Sequence, residues 1–488
     1  MRFFSTRNEK NLSTFKEAVL RGLASDGGLF VPESFPQVDL KALMDLDYRK
    51  MAYEIIKLYA TDFSEEELRS CIDGAYDDKF PKVPAPLVKA GPIHYLELYH
   101  GPTLAFKDFA LSILPRFMEV ARKSSADQKR IMILTATSGD TGSAALEGFS
   151  GLEGIDIGVF FPENGISRIQ KLQMITTPSE NTMVAGILGN FDDAQSAVKA
   201  MFADEALREE AANKGVTFSS ANSINIGRLV PQIVYYFFAY SQLMASGEIE
   251  VGEEVTFSVP TGNFGDILAL YYAKAMGLPV KKLIVASNEN KVLTDFFTTG
   301  SYDKNRDLLV TNSPSMDIII SSNLERLLFD KTQDPVLVSK LQEDLKKSGR
   351  FSLDADFSEF YPGYCSQENT LKTIKEVFDE DGYLMDTHTA VGAFVARKYM
   401  REERPSEKIV VVSTASPYKF SDAIMKALGL EAGSDAFEKL DAIEKHTGLP
   451  VPDRFRALKT AEIHHKRVIQ IDEMKDTVLR FIGDRHES

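Results

Sequence analysis

Residues 130–142 read RIMILTATSGDTG, the order of residue types expected for a strand, a tight turn and the start of a helix. The apolar run Arg130 to Thr135 predicts a buried β-strand, and a helix is predicted over Ser143 to Phe149. The run Val255 to Pro260 has the same sequel, a glycine turn and a predicted helix over residues 267–275. Further buried strands are predicted at residues 155–161, 181–188, 282–286 and 408–413. Strands that alternate with helices indicate an α/β protein with two doubly wound, mostly parallel sheets.

The bulk composition narrows the class of protein. The 488 residues carry a net charge of −15, which argues against nucleic acid or an anionic membrane as a partner. No segment approaches the roughly 20 apolar residues of a membrane span, and the first residues lack the apolar run of a signal peptide. Two cysteines, Cys71 and Cys365, indicate no disulfide framework. Together these features predict a cytoplasmic enzyme, and the lack of a metal-ligand pattern in the sequence predicts that it holds no metal.

Two turns follow predicted strands and open predicted helices: Thr135–Gly142 (TATSGDTG) and Pro260–Asp266 (PTGNFGD). Ligands of doubly wound sheets bind beyond the carboxyl ends of the strands. The first amides of a helix are unpaired donors that attract anions. The alternative is that the serine, asparagine and aspartate residues only cap helices. Two such turns in one chain favour anion binding, and neither is a Gly-x-Gly-x-x-Gly dinucleotide turn.

Lys107 lies between two phenylalanines, in the segment Ala105-Phe-Lys-Asp-Phe109. Apolar neighbours disfavour the ammonium form and lower the pKa of a lysine, which suits Schiff-base chemistry. The alternative is an ordinary lysine that opens an amphipathic helix and pairs with Asp108. One lysine and two anion cradles are the parts that an enzyme with a phosphorylated aldehyde cofactor needs.

These motifs together resemble the threonine synthases, pyridoxal-phosphate enzymes of the tryptophan-synthase-β-like fold. The resemblance extends through most of the chain, and the long N-terminal region is similar to that of the longer bacterial and fungal type. The segments that carry it are LASDGGLFVP (23–32), HGPTLAFKDF (100–109), TSGDTG (137–142), SANSINIGR (220–228), GNFGD (262–266), SPSMD (313–317) and DTHTAVG (386–392). The Asp-Gly-Gly-Leu and Ser-Ile-Asn segments separate this family from the related dehydratases and cysteine synthases.

The resemblance implies a domain arrangement. Residues 1–90 would form a helical N-terminal region. Residues 91–128 and 250–488 would form a large cofactor-binding α/β domain, and residues 129–249 a smaller, mobile α/β domain.

It also implies roles for individual residues. Lys107 would hold pyridoxal 5'-phosphate as a Schiff base, and Thr414 would face the pyridine nitrogen. The cofactor phosphate would be bound by Gly262, Asn263, Phe264, Gly265 and Asp266. The substrate would be held by Thr137, Ser138, Gly139, Asp140 and Thr141.

Arg228 is the first candidate for binding the phosphate that leaves, because guanidinium matches phosphate in two hydrogen bonds. Ser223 and Asn225 lie beside it in the sequence. The alternative for Arg228 is a structural salt bridge, and Lys419 is a weaker candidate. Asp317 and His388 are expected to be structural. Family members often have Thr-Ala-His-Pro where this chain has Thr-Ala-Ser-Pro, so Ser416 replaces a histidine.

The implied reaction converts O-phospho-L-homoserine and water into L-threonine and phosphate. Lys107 would remove the α-proton and later carry protons at Cβ and Cγ. Three alternative functions are disfavoured. A serine or threonine dehydratase would need no second phosphate site, so Arg228 and its Ser-Ile-Asn neighbours argue against it. A catalytically inactive relative that only binds a phosphorylated ligand would not need Lys107, and a kinase or nucleotide-binding protein would need a Walker or dinucleotide turn, which the sequence lacks. We expect a monomer or a homodimer.

Overall fold

The computed structural model describes residues 1–126 and 128–487. The N-terminal region contains helices, as predicted, and also a small antiparallel sheet that the prediction left out. Its strands β1–β3 span Phe3–Ser5, Asn8–Ser13 and Phe30–Pro32, paired in the order β2-β1-β3. Its helices α1–α4 span Phe15–Arg21, Leu40–Leu43, Tyr48–Ile56 and Glu65–Ala75. Helix α1 is fixed by a capping box between Thr14 and Glu17.

The rest of the chain alternates strands and helices. Strands β4–β16 span Leu87–Ala90, Ile93–Glu97, Arg130–Ala136, Ile155–Pro162, Thr182–Ile187, Val216–Ser219, Val255–Pro260, Val280–Ser287, Ser301–Asp303, Arg350–Ser352, Phe360–Tyr364, Lys408–Ser413 and Arg467–Ile469. Helices α5–α12 span Lys107–Leu111, Leu114–Ser124, Asp140–Phe149, Arg168–Ile175, Phe191–Ala203, Glu205–Asn213, Ile226–Ala245 and Gly265–Ala275. Helices α13–α21 span Val292–Thr299, Leu324–Thr332, Pro335–Lys347, Gln367–Asp381, Thr387–Glu403, Ser421–Leu428, Ala436–Thr447, Asp453–Ala457 and Met474–Glu487.

Two sheets form the body of the molecule, and the predicted strands are all present in them. The larger sheet has six strands in the order β14-β11-β10-β15-β5-β4 and is parallel except for the edge pair β4–β5. The smaller sheet has five parallel strands in the order β16-β8-β7-β6-β9. The predicted α/β class with two mostly parallel sheets is therefore confirmed.

Two segments lie apart from the domains predicted for them. Strand β16, near the C-terminus, pairs with β8 of the smaller sheet, whereas the prediction placed residues 250–488 in the large domain. Helix α21 follows β16 and packs on the outer face of the same sheet. Helix α11 was predicted in the small domain, but it contacts α3 and α12 beside the larger sheet. Its side chains are apolar on nearly every face, which suits a fully enclosed helix.

The larger sheet is buried on both faces, and this positions its loops. Alternate residues of β10, β11 and β15 face two different apolar clusters: Val410 and Val412 face α11 and α12, while Ile409 and Val411 face α16 to α18. Because the strands are parallel, the turns after β10 and β15 lie together at their carboxyl ends. Among the described residues, no helix is both long and apolar enough to span a membrane.

Candidate active site

A cavity of about 400 Å³ lies where the carboxyl ends of the two sheets meet. The turns after β6, β10 and β15 all reach it, together with the start of α5 and the loop before α11. Of the residues predicted for the site, the cavity is lined by Lys107, Thr137, Ser138, Asp140, Thr141, Ser223, Arg228, Gly262, Asn263, Phe264, Gly265, Asp266 and Thr414. Gly139 and Asn225 do not line it.

Lys107 begins α5 and does not pair with its neighbour Asp108. The Asp108 carboxylate turns inward and accepts hydrogen bonds from the amide and hydroxyl of Thr103, at 2.9 and 2.6 Å. Within the described chain, the Lys107 amine has no carboxylate within 4.0 Å and one hydrogen-bond partner, Ser315 Oγ at 3.5 Å. Burial lowers the pKa of Lys107 to about 8; Asp140 opposes this shift, and Arg228 adds to it. An amine with this pKa is neutral often enough near pH 7 to act as a nucleophile or base.

The turn of residues 137–142 is stabilised by hydrogen bonds between its own residues. Thr137 Oγ1 accepts hydrogen bonds from the amides of Gly139 and Gly142, both at 2.9 Å, so its hydroxyl serves the turn. Gly139 has φ +131°, and a Cβ there would lie 2.4 Å from the side chain of Gln170. Only glycine fits this position. Gly139 therefore shapes the turn and is not itself on the cavity.

Asp140 has an internal partner. Its Oδ1 accepts hydrogen bonds from Lys419 Nζ at 2.8 Å and Gln170 Nε2 at 2.9 Å. Burial alone would raise the pKa of Asp140, but Lys419 and Lys107 hold it well below its ordinary range. Lys419 also donates to the carbonyl of Thr103 at 2.9 Å. Asp140 and Lys419, both predicted as possible substrate contacts, thus form a buried ion pair.

The hydroxyls of Ser138 and Thr141 remain available for a ligand. Both residues line the cavity, and neither side chain has a hydrogen bond in the part of the chain that the structure describes. Helix α7 begins at Asp140 without a side-chain cap. Its first amides and these two hydroxyls form one donor group.

The turn of residues 262–266 forms the second donor group. Phe264 adopts a left-handed conformation (φ 63°) and α12 starts without a side-chain cap, which leaves its first amides toward the cavity. A Cβ on Gly262 would lie 2.8 Å from the carbonyl oxygen of Ser315, which is too close, so this position of the strand-to-helix turn requires glycine. The amides, the absent cap and the glycine fit a phosphate group.

Asp266 lies on this turn and is partly neutralised. It accepts hydrogen bonds from the hydroxyls of Tyr235 and of Tyr236, the second at 2.6 Å, and its other oxygen has no partner within the described chain. Burial raises the pKa of Asp266 to about 6, against the two tyrosine hydrogen bonds. A carboxyl group that protonates this readily tolerates an anion nearby.

Arg228 is a buried cation that has no anionic partner among the residues that the structure describes. It is 3% exposed, and its Nη1 donates to the carbonyl of Ala221 at 3.0 Å. Its Nε has no partner among the described residues, and no described carboxylate lies within 4.0 Å. Burial lowers the pKa of Arg228 to about 10. The alternative of a structural salt bridge is therefore wrong, and the site fits an anionic ligand.

Asn225, three residues earlier, is occupied elsewhere. It caps α11 by accepting from the amide of Gly227 at 2.9 Å, and its Nδ2 donates to the carbonyl of Val19 at 2.9 Å. The prediction that Asn225 binds substrate is not supported by this position. Ser223 does line the cavity, and its hydroxyl accepts from Asn323 Nδ2 at 3.3 Å.

Thr414 lies beside Lys107 because the two segments are hydrogen-bonded. The carbonyl of Thr414 accepts from the amide of Phe106 at 2.8 Å. Ser416, two residues on, is buried and does not line the cavity; its amide donates to the carbonyl of Leu104 at 3.1 Å. Ser416 itself therefore does not contact the cavity.

Two residues taken as structural prove to line the cavity, as does a third to which the sequence had given no role. They are Asp317, His388 and Ser315. The Asp317 carboxylate has partners within the protein, because it accepts hydrogen bonds from the amide and hydroxyl of Thr311 and from Asn288 Nδ2 at 2.8 Å, as expected of a structural residue. His388 Nε2 accepts from the amide of Ser315 at 3.1 Å. His388 lies in the motif DTHTAVG, and Ser315 and Asp317 lie in the motif SPSMD. Membership of these motifs was the only sequence signal that could have indicated a position at the site.

The N-terminal region supports the site through Arg326. This arginine is fully buried and donates from Nε to the carbonyl of Phe30 at 2.9 Å, and also to Asn323 and to the carbonyl of Ile224. Phe30 belongs to the N-terminal motif, and Ile224 to the loop before α11. The Asp-Gly-Gly-Leu segment is thereby linked to the wall of the cavity.

Comparison with known families and proteins agrees with this geometry. The family model "Threonine synthase N terminus" matches residues 2–76, "Pyridoxal-phosphate dependent enzyme" matches residues 81–415, and "Threonine synthase, C-terminal" matches residues 389–482. The threonine synthase of Pseudomonas aeruginosa is 42% identical over 88% of this chain and 90% of its own. Human threonine synthase-like 1 is 40% identical over 92% of this chain and 64% of its own length.

The fold agrees as well. The crystal structure of pyridoxal-phosphate-bound threonine synthase from Brucella melitensis superposes with a TM-score of 0.88, at 36% identity, and each chain covers 100% of the other. A lysine amine without a carboxylate partner among the described residues, a helix start suited to an anion and the match to three family models over residues 2–482 lead to one conclusion. The chain belongs to the threonine synthase family of pyridoxal-phosphate-dependent lyases.

Proposed function

We propose that this chain converts O-phospho-L-homoserine and water into L-threonine and phosphate, with Lys107 as the residue that carries the cofactor and moves the substrate's protons. The observation that carries the proposal is the state of Lys107. Its amine lies in the cavity wall without a carboxylate partner in the described chain, and its pKa is lowered to about 8. Both anion-ready turns open onto the same cavity.

Different residues of the chain would bind different parts of the cofactor. Lys107 would bind it covalently through its amine. The amides at the start of α12, from Gly265 and Asp266, would hold its phosphate, because they have no side-chain cap. Thr414 would offer a hydroxyl to the ring nitrogen. When bound, pyridoxal phosphate supplies an electron sink that stabilises negative charge on the substrate's carbons.

Arg228 would bind the substrate's phosphate. It reaches the cavity from a different element than α12, and its Nε has no partner in the described chain. Guanidinium and phosphate can form two charge-assisted hydrogen bonds, which also favour departure of the phosphate dianion from Cγ. Ser138 and Thr141, with the first amides of α7, would hold the substrate's carboxylate.

Lys107 would then act as the base. Once the substrate's amino group has displaced it from the cofactor, the amine would move protons one at a time: it would remove one from Cα and one from Cβ as phosphate leaves from Cγ, and the ammonium would return one to Cγ. Water would then add its hydroxyl at Cβ, a proton would return to Cα, and the remaining proton of water would balance the charge of the released phosphate. A pKa of about 8 suits both directions, because the amine gives up and takes up a proton close to neutral pH.

Absorption spectroscopy and product analysis test this proposal. The protein purified with pyridoxal phosphate should show an absorption band in the near ultraviolet or visible that Lys107→Ala removes. O-phospho-L-homoserine should yield equal amounts of phosphate and threonine. If the protein instead releases ammonia and a keto acid from threonine, it is a dehydratase and the proposal is wrong.

We also propose that the enzyme is cytoplasmic and a monomer or homodimer. The two cysteines are buried and unpaired, which suits a reducing compartment. Light scattering on the eluting protein would measure its mass against the 54.3 kDa of one chain. A mass of three chains or more would contradict the second part.

A further inference from the structure

Lys107 must change its protonation state repeatedly, so the group that holds its amine matters. Within the described chain that group is the hydroxyl of Ser315, 3.5 Å from Nζ. A hydroxyl can accept a hydrogen bond from an ammonium and can donate one to a neutral amine. A carboxylate at this place could only accept, and it would favour the ammonium. Ser315 is therefore suited to an amine that works in both states.

Ser315 is fixed in position by its backbone. Its amide donates to His388 Nε2 at 3.1 Å, and its carbonyl oxygen is the atom that would lie 2.8 Å from a Cβ on Gly262. The residue thus bridges three parts of the site: the lysine, the turn at 262–266 and the start of α17.

The tautomer of His388 follows from its partners. A backbone N–H can only donate, so Nε2 must be the unprotonated nitrogen where it meets the Ser315 amide. Nδ1 lies 2.7 Å from Asp386 Oδ2 and carries the proton. Asp386 is fully buried and also caps α17, and the His388 ring packs against Phe420 with centroids 4.8 Å apart. His388 is consequently held as a rigid acceptor.

We propose that Ser315 positions the Lys107 amine in both protonation states, and that the Asp386–His388 pair holds Ser315 in place. This inference rests on the proposed role of Lys107 as the base. Ser315 acts on a reacting atom, whereas Asp386 and His388 act through Ser315 and are positioning residues.

The first test measures Lys107 directly in the full-length protein without cofactor. Acetic anhydride labels neutral amines, and mass spectrometry of the Lys107 peptide gives the labelling rate against pH, with an exposed lysine such as Lys347 as internal standard. The Ser315 hydroxyl serves both forms of the amine, but the hydrogen bond that it accepts from the ammonium is charge-assisted and therefore the stronger one, so Ser315→Ala should lower the pKa of Lys107 by about half a unit. Labelling below pH 8 should then rise about threefold.

The charged groups that face Lys107 are Asp140, Arg228 and Lys419, and Ser315→Ala leaves all three in place. An unchanged labelling curve, with the variant folded and able to bind pyridoxal phosphate, would overturn the inference. The proposed function would survive that result, because it depends on Lys107→Ala and on the products. Absence of threonine formation by the unaltered enzyme would instead defeat the proposed function.

The second test separates His388 from Ser315. Ser315→Ala should lower kcat about tenfold, with KM changed less than about threefold. His388→Leu should match it, and His388→Gln, which restores an acceptor for the Ser315 amide, should recover most of the rate. The double variant Ser315→Ala/His388→Leu should be no slower than the slower single variant. Multiplied losses in the double variant would show that His388 acts independently, and the positioning role would be wrong.

Discussion

Replacing Arg228 with methionine should weaken catalysis without weakening the fold. Methionine is similar in length and apolar, so the change removes the charge and keeps most of the volume. The ligand-free chain loses one hydrogen bond, to the carbonyl of Ala221, which is worth about 1 kcal/mol. It also loses a buried cation that has no anion among the described residues, and removing such a charge is often neutral or stabilising.

The catalytic loss can be worked from the contacts that Arg228 would make. Two hydrogen bonds to a phosphate, each worth about 1.5–3 kcal/mol, amount to about 3–6 kcal/mol. Because about 1.4 kcal/mol is a factor of ten, kcat/KM for O-phospho-L-homoserine should fall about 10²- to 10⁴-fold. The assay is release of phosphate with formation of threonine, and the cofactor's absorption should be retained.

Arg326→Met is the matched control. Arg326 is equally buried, but it makes hydrogen bonds to Phe30, Asn323 and Ile224 and therefore holds three segments together. Both variants remove a buried cation that has no carboxylate within 4.0 Å among the described residues, so they differ by the two additional hydrogen bonds of Arg326, about 2 kcal/mol, and Arg326→Met should have the lower midpoint of thermal unfolding. Arg228→Met should leave that midpoint unchanged or raise it. If Arg228→Met unfolds as easily as Arg326→Met, Arg228 is structural; if it loses the cofactor, the two phosphate sites are assigned the wrong way round.

Three further changes probe the surroundings of the cavity. Asp140→Asn should destabilise the protein by about 3 kcal/mol, measured by denaturant unfolding, because it leaves Lys419 buried and unpaired. Gly139→Ala should cost at least about 2 kcal/mol, because φ is +131° and the new Cβ would lie 2.4 Å from Gln170. Asp266→Asn should raise the free energy of unfolding at pH 8 by about 2–3 kcal/mol and leave it unchanged at pH 4, since the folded-state pKa of about 6 lies above the unfolded value of 3.8.

Each of these has its own check. The double variant Asp140→Asn/Lys419→Met should recover stability, and failure to do so would mean that the loss at Asp140 does not come from the unpaired lysine. Gly151 also has a positive φ, 77°, but a Cβ there would meet open space, so Gly151→Ala should lower the free energy of unfolding less than Gly139→Ala. Equal losses would show that the contact with Gln170 does not contribute. For Asp266, the raised pKa makes the native carboxylate unfavourable above pH 6, and this penalty disappears as pH falls to 4. An Asp266→Asn effect that is equal at both pH values would contradict that sign.

The sequence predicted the sheets and the turns because their signals are local. Buried parallel strands are continuous apolar runs, such as Arg130–Ala136, and the position of a ligand at their carboxyl ends follows from chain direction alone. Strand β16 gives no such signal. It is three residues long and is defined by pairing with β8, far away in the sequence.

Individual side-chain roles near the site were harder to predict. Asn225 and Arg228 lie one helical turn apart at the start of α11, yet one caps the helix and the other faces the cavity. Residue type does not decide this, because the direction of each side chain depends on neighbours such as Val19. The role of His388 depends on Ser315, which is 73 positions away, and no local pattern reveals that contact.

The groups that line the cavity are each unfavourable in the ligand-free chain. Arg228 is a buried cation without a described anion, Lys107 has a lowered pKa, and Asp266 has a raised one. An anionic ligand would offset the energetic cost of burying the Arg228 charge. At Lys107, burial favours the neutral amine, which is the form that bonds covalently to the cofactor. Binding should therefore also stabilise the fold, by about 2.7 kcal/mol at a ligand concentration one hundred times Kd. Residues that look inconsistent with a stable core are thus the ones whose partners are the ligands, which is why a local conflict in a buried cavity indicates function.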